Sequence, residues 1–154
     1  MNTAQCLNDL GLTMGLSDLV FNDEGCARLV FDGKIGVNFE SDAETGQLFA
    51  YATLGPLPAQ GREALYLSLL EANLLSATEH FGATLAVDSL NNEVVLCRHL
   101  MTDELSSQSF NQIIEHFVNC AEQWRYRLEN ADPETETSTL TGDPPVSLSG
   151  FIRG

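Results

Sequence analysis

Arg62-Glu63-Ala64-Leu65-Tyr66-Leu67-Ser68-Leu69-Leu70-Glu71-Ala72-Asn73-Leu74-Leu75-Ser76-Ala77-Thr78-Glu79-His80-Phe81 is the stretch whose reading decides the fold. It is rich in Leu, Ala and Glu and holds neither Gly nor Pro, so it reads as a helix over residues 62–81. One apolar face runs Leu67, Leu70, Leu74, Ala77 and Phe81, at the spacing that packs on a core. A second runs Leu65, Leu69, Ala72 and Leu75 on another side. A helix on the rim of a small domain has only one core to face. Two apolar faces therefore require a second burial partner. It is either the rest of the same chain wrapped around a central helix, or the same helix of another copy across a two-fold axis.

Upstream of this helix the hydrophobic period is two. Leu19-Val20-Phe21 reads as a short strand and Asn22-Asp23-Glu24-Gly25 as a turn. Ala27 to Phe31 follows, then Asp32-Gly33, a two-residue hairpin signal, then a strand from Lys34 to Glu40. Gln47 to Leu54 alternates again, and Gly55-Pro56-Leu57-Pro58 breaks the sheet because proline cannot donate to a ladder. Before the strands, residues 3–14 form a first helix with Thr3 as N-cap and Leu7, Leu10 and Met14 on one narrow stripe. Gly11 weakens it and Gly15 ends it, so it should be loosely held.

Downstream, Gly82 stops the central helix. Thr84 to Asp88 and Glu93 to Leu100 form a second hairpin around Asn91-Asn92. A last helix opens near Thr102, with Asp103 and Glu104 in its first turn, and runs to about Leu128. Its stripe of Phe110, Ile113, Ile114, Phe117, Ala121, Trp124 and Leu128 is single-faced, so it should lie on the sheet. The order α-β-β-β-α-β-β-α implies an α+β fold with an antiparallel sheet and three helices. Residues 1–130 read as one domain. Residues 131–154, rich in Thr, Ser, Pro, Gly and acid, read as a mobile acidic tail.

At 154 residues and 44% hydrophobic, the chain can bury a sizeable core. No apolar run approaches the roughly 20 residues of a membrane span, and the N-terminus lacks the basic and apolar regions of a signal peptide. The expectation is a cytosolic protein. Cys6, Cys26, Cys97 and Cys120 are scattered, which fits small buried apolar residues better than disulfides. The net charge of −15, from 22 acids against 7 bases, argues against nucleic acid and anionic membrane as partners. It favours solubility or a basic partner.

Chemistry finds little to stand on. G-x-S-x-G, a phosphate loop, G-x-G-x-x-G, C-x-x-C and H-E-x-x-H are all missing from the sequence. Cys97 and His99 alternate onto one strand face, and His116 and Cys120 lie at i, i+4 on the last helix. A Cys2His2 zinc site is conceivable there, but Cys97-x-His99 is not a usual zinc spacing and Ile113 and Phe117 own the sheet-facing side. Core cysteines and surface histidines are the better reading. Acid pairs such as Asp23 with Glu24 and Asp42 with Glu44 fall on turns and read as solvated loops, because catalytic carboxylates need a desolvated cleft. The chain reads as non-enzymatic, without catalytic residues, metal or cofactor. The alternative is a small α+β domain that binds a ligand or catalyses in a sheet–helix cavity, marked by an enclosed pocket.

Four stretches carry a family resemblance: Leu19-Val20-Phe21-Asn22-Asp23-Glu24-Gly25, Leu48 to Pro58 ending Thr-Leu-Gly-Pro-Leu-Pro, Leu69 to Leu75, and Phe117-x-x-x-Ala121-x-x-Trp124. Over residues 3–128 the chain resembles the class I type III secretion chaperones, the Tir-chaperone (CesT-like) family. The resemblance implies a cytoplasmic chaperone of a Gram-negative bacterium. Such a chaperone binds the N-terminal segment of one or more secreted effectors and keeps them soluble and export-competent. It implies a homodimer joined through the middle helix and a strand of the second hairpin, at Leu65, Leu69, Ala72, Leu75 and Val95. Leu69→Asp should then dissociate the dimer. The effector would lie on the first helix and first strands, at Leu7, Leu10, Val20, Phe21, Val30 and Phe31, by groove packing or strand addition. The secretion-apparatus ATPase is a further implied partner. The tail after Asn130 departs from many relatives.

Overall fold

The computed structural model describes residues 1–42, 44–79 and 82–131, with the backbone alone over 76–79. Phe81, and the expected tail from residue 132 onward, lie outside the described residues. The elements are α1 (Thr3–Thr13), β1 (Cys26–Phe31), β2 (Ile35–Asp42), β3 (Gln47–Pro56), α2 (Arg62–Glu79), β4 (Thr84–Asp88), β5 (Glu93–Met101) and α3 (Ser107–Glu129). The strands make one antiparallel sheet ordered β1-β2-β3-β5-β4. This is the α+β arrangement that the alternating and helical periods imply.

The pleat divides each strand between two faces. Leu29, Val37, Phe39, Leu48, Ala50 and Leu96 point to the inner face and are buried. On that face lies α3, whose Phe110, Ile114, Phe117, Ala121 and Trp124 are buried with them in one cluster. Complete burial of one Leu or Phe side chain is worth about 1.5–3 kcal/mol, so this row of contacts fixes which way α3 turns. The chain reverses between β1 and β2 at Asp32 and Gly33, both at positive φ (+49° and +67°). That is the twist a tight hairpin needs.

Four local expectations are corrected. First, α1 is firmly packed: Cys6, Leu7 and Leu10 are interior, and Asn2, not Thr3, caps it by accepting from Gln5 N–H at 2.8 Å. Gly11 is there for closeness, since a Cβ would stand 2.8 Å from Leu19 Cβ, where the chain folds back over the helix. Second, Leu19-Val20-Phe21 is not a strand. Leu19 and Phe21 rest against the core margin, while the Asn22 carboxamide accepts from the N–H groups of Glu24 and Cys26 and turns the chain into β1.

Third, β3 does not stop before its prolines: it continues through an irregularity between Thr53 and Gly55 to Pro56. Pairing with β2 ends at Tyr51, so Pro56 takes no ladder bond away from that side. Fourth, α3 begins at Ser107. Thr102 instead donates its N–H and hydroxyl to the Gly46 carbonyl, at 3.2 and 3.0 Å, in a short 3-10 turn over Thr102–Glu104. Ser106 is the N-cap, its hydroxyl accepting from Ser109 N–H at 3.1 Å.

Candidate functional site

Two surfaces carry apolar side chains that no other described residue covers. The first is a ridge on α2. Leu67, Leu70 and Leu74 are 59%, 67% and 72% exposed, and Leu75 is exposed beside them. The expected division of this helix is therefore reversed. Leu67, Leu70 and Leu74 of the face read as core-packing are outside, and the Ala77 side chain and Phe81 lie outside the described residues. Leu69, expected at a subunit interface, is 4% exposed within its own core, with Leu65 and Ala72 half-buried against that core. Of the five residues expected at a two-fold contact, Leu75 alone is exposed, and Val95 is half-buried.

Asn73 explains the rotation. Its carboxamide donates to the Leu85 carbonyl at 2.9 Å and accepts from the Leu85 N–H at 2.8 Å. Since β4 is the last strand of the sheet, these backbone groups face away from β5. One side chain thus imitates a neighbouring strand and closes that edge. With Asn73 turned to β4, Leu69 must point inward, and Leu67, Leu70 and Leu74 outward.

The second surface is the outer face of the sheet. Its registers set Cys26 opposite Glu40, Glu40 opposite Phe49, and Phe49 opposite His99, one row across four strands. The rings of Phe49 and His99 lie 4.4 Å apart, and Phe49 stacks on Tyr51 at 5.4 Å. The Tyr51 hydroxyl donates to Glu40 Oε1 at 3.0 Å. Burial, then that bond, raises its pKa above the usual phenol value. Glu24, Glu40 and Asp42 border an open cleft of about 260 Å³ with Phe49 and His99 in its wall. Hydrogen bonds from the Thr45 side chain and the Glu44 and Thr45 N–H groups hold Asp42 below the ordinary carboxylate range. Arg28 lies flat over Gly36 and donates to Asn38 Oδ1 at 2.9 Å, so a Cβ at position 36 would meet its guanidinium at 2.4 Å.

The residues expected to bind an effector divide in the same way. Leu7 and Leu10 are interior beneath α3, a correction that follows from the packing of α1. Val20 and Val30 are exposed, while Phe21 and Phe31 are half-buried against the core margin. Val30 lies on β1, the edge that Asn73 leaves untouched. The conceivable zinc ligands are kept apart. Cys97 and His99 are on the outer face, whereas Cys120 is buried on α3 beyond the inner one, its thiol pKa pushed up to about 11 by burial. Sequence reasoning does not single out Phe49, Tyr51 and Asn73, which shape these two surfaces. The alternation of Gln47 to Leu54 sets both rings on one face, and Asn73 is the polar interruption in an otherwise apolar helix side.

No helix among the described residues is long and apolar enough to cross a membrane. Residues 5–125 match the profile of the Tir chaperone protein (CesT) family. The chain is 26% identical over 129 residues to the transcriptional anti-antiactivator ExsC of Pseudomonas aeruginosa, covering 84% of this chain and 86% of that protein. Its fold is similar to that in the crystal structure of the ExsC–ExsE complex, with TM-score 0.71 and 24% identity, over 86% of this chain and 100% of the other. It is also similar to that in the HopA1–SchA chaperone–effector complex, with TM-score 0.65 and 20% identity, over 79% and 91%.

Proposed function

Because the chain belongs to the Tir chaperone protein (CesT) family, whose members are chaperones and not enzymes, we propose that it holds export clients. It binds the N-terminal segment of one or more type III secreted effectors in the bacterial cytoplasm and keeps that segment soluble and export-competent. The observation that carries this reading is the family match over 5–125, a range that includes both apolar surfaces left open among the described residues. Such surfaces suit a client that arrives as an extended or helical segment.

The working unit is a homodimer joined by the α2 ridge, with Leu67, Leu70 and Leu74 meeting their copies across a two-fold axis. An aliphatic ridge is compatible with itself, as an isologous contact requires. The secretion-apparatus ATPase is the further partner of a loaded chaperone. A second reading is favoured by the similarity to ExsC: a partner that is itself a regulator, so that the chain acts on transcription by binding protein. The test for both is to tag the protein in its own bacterium under secretion-inducing conditions and identify what co-purifies. A stoichiometric secreted protein held through its N-terminal region supports the first reading, and a regulatory protein supports the second. A protein that elutes alone, or with a metabolite, overturns both.

A further inference from the structure

Acidity is a property of residues 1–131 as well as of the whole chain. Residues 1–131 contain eighteen acids and six bases, a net charge of −12. On the outer sheet face this charge surrounds aromatic surface. Glu40 is opposite Phe49, which is opposite His99, and Glu24 and Asp42 border the same cleft. Tyr51 extends the ring row on one side and half-exposed Met101 borders it on the other. None of Glu24, Glu40 and Asp42 forms an ion pair with a described residue. Arg28 on the same face donates to the Asn38 carboxamide and pairs with none of the three. α1 and α3 pack on the opposite face, so neither helix covers the row.

This surface differs in kind from the α2 ridge. Two copies of it brought face to face would set three carboxylates against three, which repel. Its complement has the opposite sign. A guanidinium or ammonium group over an aromatic ring is attracted by the ring's quadrupole, and adjacent carboxylates add a charge-assisted contact. We propose that this row is a docking strip for a basic amphipathic segment of the client polypeptide. An arginine or lysine stacks on Phe49 and His99 among Glu24, Glu40 and Asp42, and the segment's apolar side chains run along Tyr51 and Met101. The proposal rests on the chaperone reading and specifies the client's chemistry.

The test uses the full chain and two synthetic 16-residue amphipathic peptides, identical except that the four arginines of one are citrullines in the other. Citrulline keeps the shape and removes the charge. Calorimetry gives affinity and heteronuclear NMR gives location. The arginine peptide is expected to shift the Phe49, Tyr51 and His99 signals and to bind about tenfold tighter than the citrulline peptide. The variant Glu24→Gln/Glu40→Gln/Asp42→Asn should lose about tenfold for the arginine peptide. Glu63→Gln/Glu104→Gln/Glu115→Gln, with the same change in net charge at exposed sites elsewhere, should lose less than about threefold. Phe49→Leu, which keeps apolar volume and removes the ring, should lose about fivefold for arginine and little for citrulline.

Equal losses in the two triple variants, equal affinity for the two peptides, or shifts centred on another surface would each overturn the docking strip. Co-purification from the native bacterium separates this failure from that of the parent reading. A client captured equally by wild type and by the Glu24/Glu40/Asp42 variant overturns the strip and leaves the chaperone reading standing. No client on the wild type overturns the chaperone reading itself.

Discussion

Asn73 does two jobs that no apolar residue could combine, satisfying both backbone groups of Leu85 and setting the rotation of α2. Asn73→Ala leaves those groups unpaired in a partly buried place, at a cost of about 1–3 kcal/mol. The expected result is a lower urea midpoint with an unchanged slope, and faster hydrogen exchange at the Leu85 amide than at Leu96. Exchange at Leu85 equal to wild type would show that the edge is closed by something else. Cys120 supplies a second prediction at this scale. Burial raises its pKa from the ordinary 9.0 to about 11, so the folded protein retains a proton that the unfolded chain has released. Stability from this group is complete below about pH 9 and is lost as pH rises towards 11. Cys120→Ala should therefore flatten the alkaline fall in melting temperature between those pH values, whatever it costs at pH 7. Under native conditions the thiol of Cys26, half-exposed on an edge strand, should react with a disulfide reagent well before those of Cys6 and Cys120.

At the level of elements, α2 separates what periodicity can convey from what it cannot. Two apolar stripes at helical spacing are legible, and they correctly imply more apolar surface than one core consumes. Which stripe faces inward is not legible. The choice depends on Asn73 meeting Leu85, a contact between residues twelve apart whose partner is a backbone. The strands are legible because alternation with Asp32-Gly33 fixes register locally. Leu19–Phe21 misleads for the complementary reason: three apolar residues satisfy a two-residue period by chance, and no strand among the described residues pairs with them. The helix start at Ser107 is hidden by Thr102, whose hydroxyl is bound to Gly46, fifty-six residues away in the chain. The reversal of α2 changes the mutational expectation. Leu69→Asp places a charge in the core and should unfold the protein, visible as lost helical ellipticity. Leu70→Asp, on the exposed ridge, should leave ellipticity intact and, if the proposed homodimer forms through this ridge, halve the mass measured by light scattering. A Leu70→Asp variant that remains a dimer would move the two-fold contact away from α2.

Across the whole molecule, repulsion between like charges outweighs attraction between unlike ones. Twelve excess negative charges over residues 1–131 repel one another in the native state more than in the expanded chain. Against them stand few attractive contacts that salt could weaken. The pair of Arg125 with Glu129 is on the surface at i, i+4 spacing, where such pairs are worth only about 0.3–0.5 kcal/mol. Arg127 is engaged over the Trp124 ring at 5.0 Å, and Arg28 with a neutral carboxamide. Salt shortens the screening length from about 30 Å at 0.01 M to about 8 Å at 0.15 M, which removes most of the long-range repulsion and little of these short contacts. The melting temperature at pH 7 should therefore rise by several degrees between about 10 and 150 mM sodium chloride, at fixed protein concentration so that dimer formation does not contribute. The same screening should slow association with a basic client, because steering by the whole field falls over the same range. Free and client-bound protein are thus expected to respond to salt in opposite directions. A melting temperature that fell with salt would mean that attractive pairs, not the excess of acid, govern the free molecule.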